Sequence, residues 1–204
     1  MQQRIKKISV WLILMMLGLG LNSPAVWAHA GHAGPMVPFV KDKTALKTLL
    51  AGKGRKLVKR KEALARETAE WLAEFFNEEP ASGDISRFFV AKDRKSGQAV
   101  ALAMISEAPY HHGKMRLIVA IDDQSRVIGA AVLGVNKNYV QDFEAKNRAG
   151  WIDELKATPL SALIDKGHQA EKEPSTLDDK IMIELKDSAV LLSGFLHQLQ
   201  KEER

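Results

Sequence analysis

Two short runs of apolar residues, separated by turn-forming residues, make the clearest pattern in the chain. The runs occupy residues 117–121 and 127–133, and the link between them begins with Asp-Asp-Gln-Ser at 122–125. β-Branched residues favour a pleated strand, while acidic and hydroxyl side chains hydrogen-bond nearby backbone and close a turn. Residues 115–135 are therefore predicted to form a β-hairpin.

A second pair of apolar runs, at residues 87–91 and 98–105, flanks a polar link at 92–97. Gly97 is free to take the positive φ that such a link often needs, so these runs are predicted to form another hairpin. The connection at 109–113, which reads Pro-Tyr-His-His-Gly, joins the two hairpins. Because short links join neighbours in space, four strands in an antiparallel meander are expected.

The region from residue 41 to residue 77 has a helical pattern. Its apolar residues recur at spacings that place them on one side of a helix: Leu57, Leu64, Trp71, Leu72 and Phe75. Gly52 and Gly54 are predicted to divide the region into two pieces, and the Pro, Ser and Gly residues at 80–83 to end it.

The residues after the sheet are predicted to be mostly helical. A loop at 136–139 precedes a short helix at 149–155, and a further helix is expected to start with Thr158 as N-cap and to stop at Gly167. The last helix is predicted from about residue 181 to residue 200, with apolar residues spaced by four and three. The predicted fold class is α+β: an antiparallel sheet of about four strands packed against helices, including a long C-terminal amphipathic helix.

Two polar groups have both a functional and a structural interpretation. The cations at residue 56 and at 59–61 indicate either a phosphate-binding cluster or a solvated helix face, balanced by glutamates at 62, 67 and 70. The group Tyr110, His111 and His112 stands at the entry to a core strand. Adjacent histidines on a strand point to opposite sides, so this group is interpreted either as structural or as a contact for a ligand or flavin.

Residues 1–28 have the three parts of a secretory signal peptide: a cationic start, an apolar run at 8–21, and small residues at the end. Cleavage after Ala28 or Ala30 is expected, and the protein is predicted to be periplasmic. The alternative is an uncleaved signal that anchors the protein in the inner membrane, although an apolar run of 14 residues is short for a membrane span.

The segment at residues 29–40 is predicted to be flexible, and it contains two histidines, His29 and His32. If cleavage follows Ala28, His29 becomes the mature N-terminus. Its α-amine and imidazole, together with His32, would then present nitrogens suited to a Cu(II)-type ion. His29 and His32 are the predicted metal ligands, and the alternative is that they are incidental residues of a tail.

Composition excludes several classes of function. Of the 204 residues, 30 are Lys or Arg and 25 are Asp or Glu, but three of the cations belong to the predicted signal, which leaves 27 against 25. This balance of +2 argues against a general electrostatic field for nucleic acid or a membrane surface. The chain has no cysteine, which excludes disulfides, thiolate metal sites, cysteine nucleophiles and c-type haem attachment.

Three segments together carry a family resemblance. They are residues 113–122 (Gly-Lys-Met-Arg-Leu-Ile-Val-Ala-Ile-Asp), the strand at 127–133, and Asp178 with the Ala-Val pair at 189–190. This order of elements, over roughly residues 85–200, resembles the FMN-binding domain found in flavin-carrying subunits of Rnf-type and sodium-pumping quinone reductase complexes. The resemblance implies an FMN cofactor and a redox protein or membrane electron-transport complex as partner.

The segment that attaches flavin in this family differs here. The family segment D-x-x-[ST]-G-A-[ST] holds FMN through a phosphoester to its last hydroxyl. Alignment on Asp178 places Ile-Met-Ile at 181–183 and Glu184 at the last four positions. Because Glu184 has no hydroxyl, any bound flavin is expected to be non-covalent, and the missing glycine removes a point of close backbone approach to phosphate.

The resemblance implies six candidate cofactor-binding residues: Gly113, Asn136, Tyr139, Asp178, Lys186 and Ser188. In this interpretation Tyr139 stacks on the isoalloxazine ring and Lys186 neutralises the phosphate. The alternative for Tyr139 and Lys186 is an ordinary role in packing or at the surface.

The predicted organisation is a signal peptide at 1–28, the His-containing segment at 29–40, a helical N-terminal region at 41–80 and an FMN-binding-like α+β domain at 81–204. Two functions are kept. The first is an exported FMN-binding-like protein of electron transfer, which holds its flavin non-covalently. The second is a flavin-free binding or assembly module that handles a metal ion such as copper through His29 and His32. No nucleic-acid partner is expected and no catalytic residue is assigned.

Overall fold

A computed structural model describes residues 33–52, 55–80 and 82–203. These residues form seven strands and five α-helices, numbered in chain order. The strands are β1 (Met36–Pro38), β2 (Arg55–Ala63), β3 (Ile85–Asp93), β4 (Ala99–Tyr110), β5 (Gly113–Asp122), β6 (Val127–Asn136) and β7 (Gly150–Trp151). The helices are α1 (Asp42–Leu50), α2 (Arg66–Phe76), α3 (Val140–Ala145), α4 (Leu160–Lys172) and α5 (Leu177–Glu202).

The strands form one antiparallel sheet in the order β1-β6-β5-β4-β3-β2, with β7 also paired to β6. The central meander β3 to β6 confirms the two predicted hairpins, and Gly97 in the first of them has a φ of +76°. The α+β class is confirmed, but the sheet is larger than the predicted four strands. β1 and β7 have three and two residues, too few to produce an alternating pattern in the sequence.

The region before the meander is helix, strand and helix rather than two helical pieces. Residues 55–63 form β2, which pairs along its whole length with β3, from Arg55 opposite Asp93 to Ala63 opposite Ile85. The helical prediction for these residues is wrong. The spacing of seven places Leu57 in β2, Leu64 in the link after it and Trp71 in α2, and the pairing of nine residues with β3 decides the local structure.

The two faces of the sheet are covered differently. On the first face α5 crosses β4 and β5, with α4 and α2 packed beside it, and the rings of Phe88 and Phe195 stack with centroids 4.3 Å apart. On the second face α1 packs over β4, β5 and β6. The buried residues beneath α1 are mostly small, including Ala91, Ala101 and Ala103, so that the helix approaches the strands closely.

The helix ends follow local chemistry with some displacement. Thr176 and Asp179 form a capping box, so α5 begins at Leu177, four residues before the predicted start. Pro159, rather than Thr158, is the N-cap of α4, and α4 continues through Gly167 to Lys172. A Cβ at Gly167 would lie 2.5 Å from Lys186 Cδ, so this glycine allows the contact of α4 with α5 instead of ending a helix. The helix predicted at 149–155 is instead β7 and a 3-10 turn, Asp153–Leu155.

The predicted signal peptide and both candidate metal-ligating histidines, His29 and His32, lie outside the described residues. Among the helices that are described, none is both long and apolar enough to cross a membrane.

Candidate cofactor site

The turn between β4 and β5 consists of two residues, His111 and His112, and both side chains are exposed. His111 has a φ of +51°, a conformation that tight hairpin turns need. The strands extend further than the sequence indicates, because Tyr110 ends β4 and Gly113 begins β5. The turn therefore holds the two imidazoles at one end of the sheet.

Four rings meet beside this turn, and we call them the aromatic site: Tyr110, His111, Tyr139 and Phe143. The centroid of the Tyr110 ring is 4.5 Å from His111, 5.5 Å from Tyr139 and 5.1 Å from Phe143, each in an edge-to-face arrangement. His111 and Tyr139 are 5.3 Å apart and inclined by 30°. Tyr110 is buried, Tyr139 is half-buried and His111 is exposed, so the site runs from the core to the surface.

Charged groups border the aromatic site on two sides. The Tyr110 hydroxyl donates to Asp142 Oδ2 at 3.2 Å, and burial together with the Asp142 carboxylate raises the pKa of Tyr110 to about 12. Lys180, in the first turns of α5, has its Nζ 5.5 Å from the Tyr110 ring centroid, within the range of a cation–π contact. The site therefore combines four aromatic rings with the half-buried cation of Lys180.

Gly113 and Asn136 lie next to the aromatic site and are joined by hydrogen bonds. Asn136 Oδ1 accepts from the backbone N–H of Lys114 at 2.6 Å, and Asn136 Nδ2 donates to the carbonyl of Gly34 at 2.6 Å. A Cβ at Gly113 would lie 2.6 Å from Asn136 Oδ1 and 3.0 Å from Tyr139 Cε2. The glycine therefore lets Asn136 and Tyr139 close against the turn. Three of the six candidate residues, Gly113, Asn136 and Tyr139, come together here.

Asp178 forms an ion pair with Arg148. Both of its carboxylate oxygens accept from Arg148, at 2.8 Å from Nε and 3.1 Å from Nη2, and Arg148 also pairs with Glu154. The hydrogen bonds that Arg148 donates to Asp178 raise the pKa of the Arg148 guanidinium above its ordinary value. This network ties the start of α5 to the segment after α3, which is a structural role for the predicted cofactor residue.

Lys186 is enclosed by carboxylates of its own chain. It is 3% exposed, and its Nζ lies 2.6 Å from Glu171, 3.1 Å from Asp187 and 3.2 Å from Glu78. His168 Nε2 lies 2.6 Å from the other oxygen of Glu78. Burial alone would lower the pKa of the Lys186 ammonium, but its hydrogen bonds to these carboxylates outweigh burial and raise it.

The candidate residues on the middle of α5 therefore lie apart from the aromatic site. Lys186 is six residues beyond Lys180, about 9 Å along the helix axis, and faces α4. Ser188 is buried on the same helix. The charge of Lys186 is already balanced within the chain, and we do not assign it to a phosphate.

Glu184, which aligns with the attachment position of the family, is half-buried one turn after Lys180. Burial raises the pKa of its carboxyl, while a hydrogen bond with Ser106 of β4 opposes that increase. The segment 181–184 thus belongs to the first turns of α5, and Glu184 within it contacts β4. Asp142, Phe143 and Lys180 join the site without a signal in the sequence, because they come from two helices that are far apart in the chain.

The described ranges contain no group of three or more His, Asp or Glu side chains arranged to hold a metal ion. Comparison of this chain with protein-family models, with curated proteins and with solved structures finds no match.

Proposed function

We propose that the protein binds FMN non-covalently at the aromatic site and takes part in electron transfer in an exported redox chain. One observation carries the proposal. The exposed ring of His111 and the half-buried ring of Tyr139 lie 5.3 Å apart beside Lys180, Gly113 and Asn136. A planar isoalloxazine ring stacks favourably on such side chains.

The residues at the site suit the two ends of an FMN molecule. Tyr139 and His111 would contact the isoalloxazine, and Lys180 would face the phosphate in place of Lys186. The flavin supplies the electron transfer when it is bound, while the chain binds and orients it and limits access of water. The carboxylate of Glu184 has no hydroxyl to form a phosphoester, which supports non-covalent binding.

The expected partner is a redox protein or a membrane electron-transport complex. This part of the proposal rests on the resemblance to the FMN-binding domain and on the signal-like residues 1–28. The protein would work in the periplasm, either free after cleavage of the signal or anchored in the inner membrane through it.

A flavin-free binding or assembly module is the second candidate. The observation that favours it is the internal use of the site's polar groups, since Asn136 and the Tyr110 hydroxyl already have partners within the chain. In that case the aromatic site is a packing feature, and a metal ion bound by His29 and His32 would be the activity to test.

The visible absorption spectrum of protein purified from its native compartment separates the two candidates. The proposal predicts flavin bands, which move into the supernatant after acid precipitation. Flavin retained in the pellet would refute the non-covalent claim at Glu184. A colourless protein that also fails to bind added FMN would leave the second candidate. For that candidate, calorimetric titration with Cu(II) should reveal one tight site that disappears when His29 and His32 are both changed to Ala.

A further inference from the structure

Where β2 and β3 run side by side, the described residues leave much of the second face of the sheet exposed. Register places Leu57 opposite Ala91, Lys59 opposite Phe89 and Lys61 opposite Arg87. Because alternate residues share a face, these side chains belong to the same face as the alanines beneath α1. Leu57 is 48% exposed and Ile85, at the end of the row, is 64% exposed.

A groove of about 500 Å³ continues this surface between α1 and β2. Its apolar lining comes from Leu46 and Leu50 of α1 and from Leu57, which the groove shares with the open row. Three cations border it: Lys43, Lys47 and Arg55. We call the row and the groove together the basic face.

The basic face carries six cations: Lys43, Lys47, Arg55, Lys59, Lys61 and Arg87. Within the described residues, none of these six forms an ion pair. The groove also contains Asp42, but this carboxylate pairs with Arg116 at 2.8 Å. The small net charge of the chain therefore conceals a strongly positive surface on one side of the molecule.

We infer that the basic face docks on a bilayer that contains anionic phospholipid. The inference is independent of flavin, since the basic face and the aromatic site share no residue. Anionic headgroups complement the six cations, and the exposed Leu57 and Ile85 would enter the boundary between headgroups and acyl chains. Surfaces of peripheral membrane proteins combine lysine and arginine with large apolar residues in this way.

An acidic protein partner and protection against aggregation both fit the basic face less well than a bilayer does. Four of its six cations are lysines, a residue that is depleted in protein–protein interfaces, which disfavours an acidic protein as the partner. Lysines on an edge strand also prevent aggregation, and this would account for Lys59 and Lys61 of β2. It does not account for Lys43 and Lys47 on α1, or for Ile85 exposed among cations.

Co-sedimentation with vesicles tests the inference on the full chain as purified from its native compartment. Vesicles of phosphatidylcholine alone are compared with vesicles that also contain phosphatidylglycerol, at low and at high salt. The protein should bind the anionic vesicles more tightly, and added salt should weaken that difference.

A pair of variants assigns the binding to the basic face. Lys59→Glu with Lys61→Glu should weaken binding to anionic vesicles at least about 25-fold, since each cation near such a surface contributes roughly fivefold. The matched control is Lys156→Glu with Lys172→Glu, which makes the same change of charge at exposed positions outside the face. The control should bind within about twofold of the wild type, and it also corrects for any contribution from the chain before residue 33, which is the same in both variants.

Leu57→Gln tests the apolar part of the basic face without a change of charge, and it should weaken binding to the same vesicles severalfold. Far-ultraviolet circular dichroism and thermal unfolding of each variant establish that it is folded. Equal binding by the two double variants would overturn the inference, as would the absence of any preference for phosphatidylglycerol. The inference would also be overturned, in favour of an acidic protein partner, if the protein bound neither kind of vesicle but bound a glutamate-rich peptide through Lys59 and Lys61.

Discussion

Two of the candidate cofactor residues, Tyr139 and Lys186, lie in regions with opposite properties. Around Tyr139 at the β4–β5 turn, rings reach the surface and the Lys180 ammonium lies beside them. Around Lys186 in the middle of α5, a buried ammonium is held by three carboxylates, within the core and against α4. The rings of the first region are exposed enough to contact a ligand. The ammonium of the second region is already paired with carboxylates of its own chain.

The difference shows what makes a lysine or tyrosine a credible ligand contact. Lys186 is a residue type that binds phosphate, but the carboxylates of Glu78 and Glu171 in the same chain already pair with its ammonium. Tyr139 is half-buried, and its hydroxyl accepts from the backbone N–H of His112 at 3.3 Å. Substitutions at Lys186 should therefore change stability, and substitutions at Tyr139 should change ligand affinity.

The largest expected effect is that of Lys186→Met, which removes the charge but keeps an aliphatic side chain against Gly167. Removing one partner of a buried ion pair leaves uncompensated charge and costs about 3–5 kcal/mol. We expect a loss of that size in the free energy of unfolding, measured with denaturant at neutral pH. The double change Lys186→Met with Glu78→Gln should recover part of the loss.

The control for this prediction is Lys172→Ala, an exposed lysine on α4, which should change stability by less than about 0.5 kcal/mol. If Lys186→Met lowers the free energy of unfolding by less than about 1 kcal/mol, the carboxylates around Lys186 do not depend on its charge. The lysine would then return as a candidate for phosphate binding, and the contrast between the two regions would fail.

A smaller effect is expected from Asn136→Ala at the edge of the aromatic site. The change removes the hydrogen bonds to the Lys114 N–H and the Gly34 carbonyl, each of which contributes about 1 kcal/mol. The free energy of unfolding should fall by about 2 kcal/mol. Asn136→Asp keeps the acceptor and loses the donor, so it should fall about half as far. Equal losses of unfolding free energy from the two variants would argue against separate contributions from the hydrogen bonds to Lys114 and Gly34.

Ionisation of Tyr110 should make the free energy of unfolding depend on pH in the alkaline range. Its folded pKa of about 12 is higher than the unfolded value of about 10, so its contribution to stability is complete below pH 10. That contribution is lost as the pH rises from about 10 to about 12, because the unfolded state ionises first. Lys186 also has a raised pKa and affects the same range, but equally in wild type and in a Tyr110→Phe variant.

Unfolding of wild type and Tyr110→Phe at a series of pH values isolates this effect. The wild type should be more stable by about 1 kcal/mol at neutral pH, because the variant lacks the hydrogen bond to Asp142. The advantage should shrink between pH 10 and pH 12. A difference that stays constant over this range would contradict the buried, neutral state of the Tyr110 hydroxyl.

The sequence predicts the hairpins β3–β4 and β5–β6 well because each depends on residues close together in the chain. The strand β2 escapes prediction for the opposite reason. Its pattern of Leu57, Lys59 and Lys61 on one side has little apolar alternation, and its strand conformation depends on pairing with β3, which follows after the helix α2. β1 and β7 are too short for a periodic signal.

The residues of the candidate site also differ in how well the local sequence predicts them. Tyr110 and His111 are adjacent in sequence, so the turn alone is enough to predict a ligand contact at these residues. Lys180 and Phe143 reach the same place through the packing of α5 and α3, which no local pattern reveals. The partners of Lys186 include Glu78, 108 residues away, so its internal neutralisation could not be predicted from sequence.

Titration of FMN into Tyr139→Phe and Tyr139→Ala variants, followed by flavin fluorescence, tests the central claim most directly. The Phe variant keeps the ring and should bind FMN within about twofold of the wild type. The Ala variant removes a stacking interaction of about 0.5–1.5 kcal/mol and should bind up to about tenfold more weakly. Lys186→Met, measured where it is folded, should bind as the wild type does. Equal affinity of the Ala and Phe variants, or no binding of FMN to any of these proteins, would contradict the assignment of the aromatic site as a flavin site.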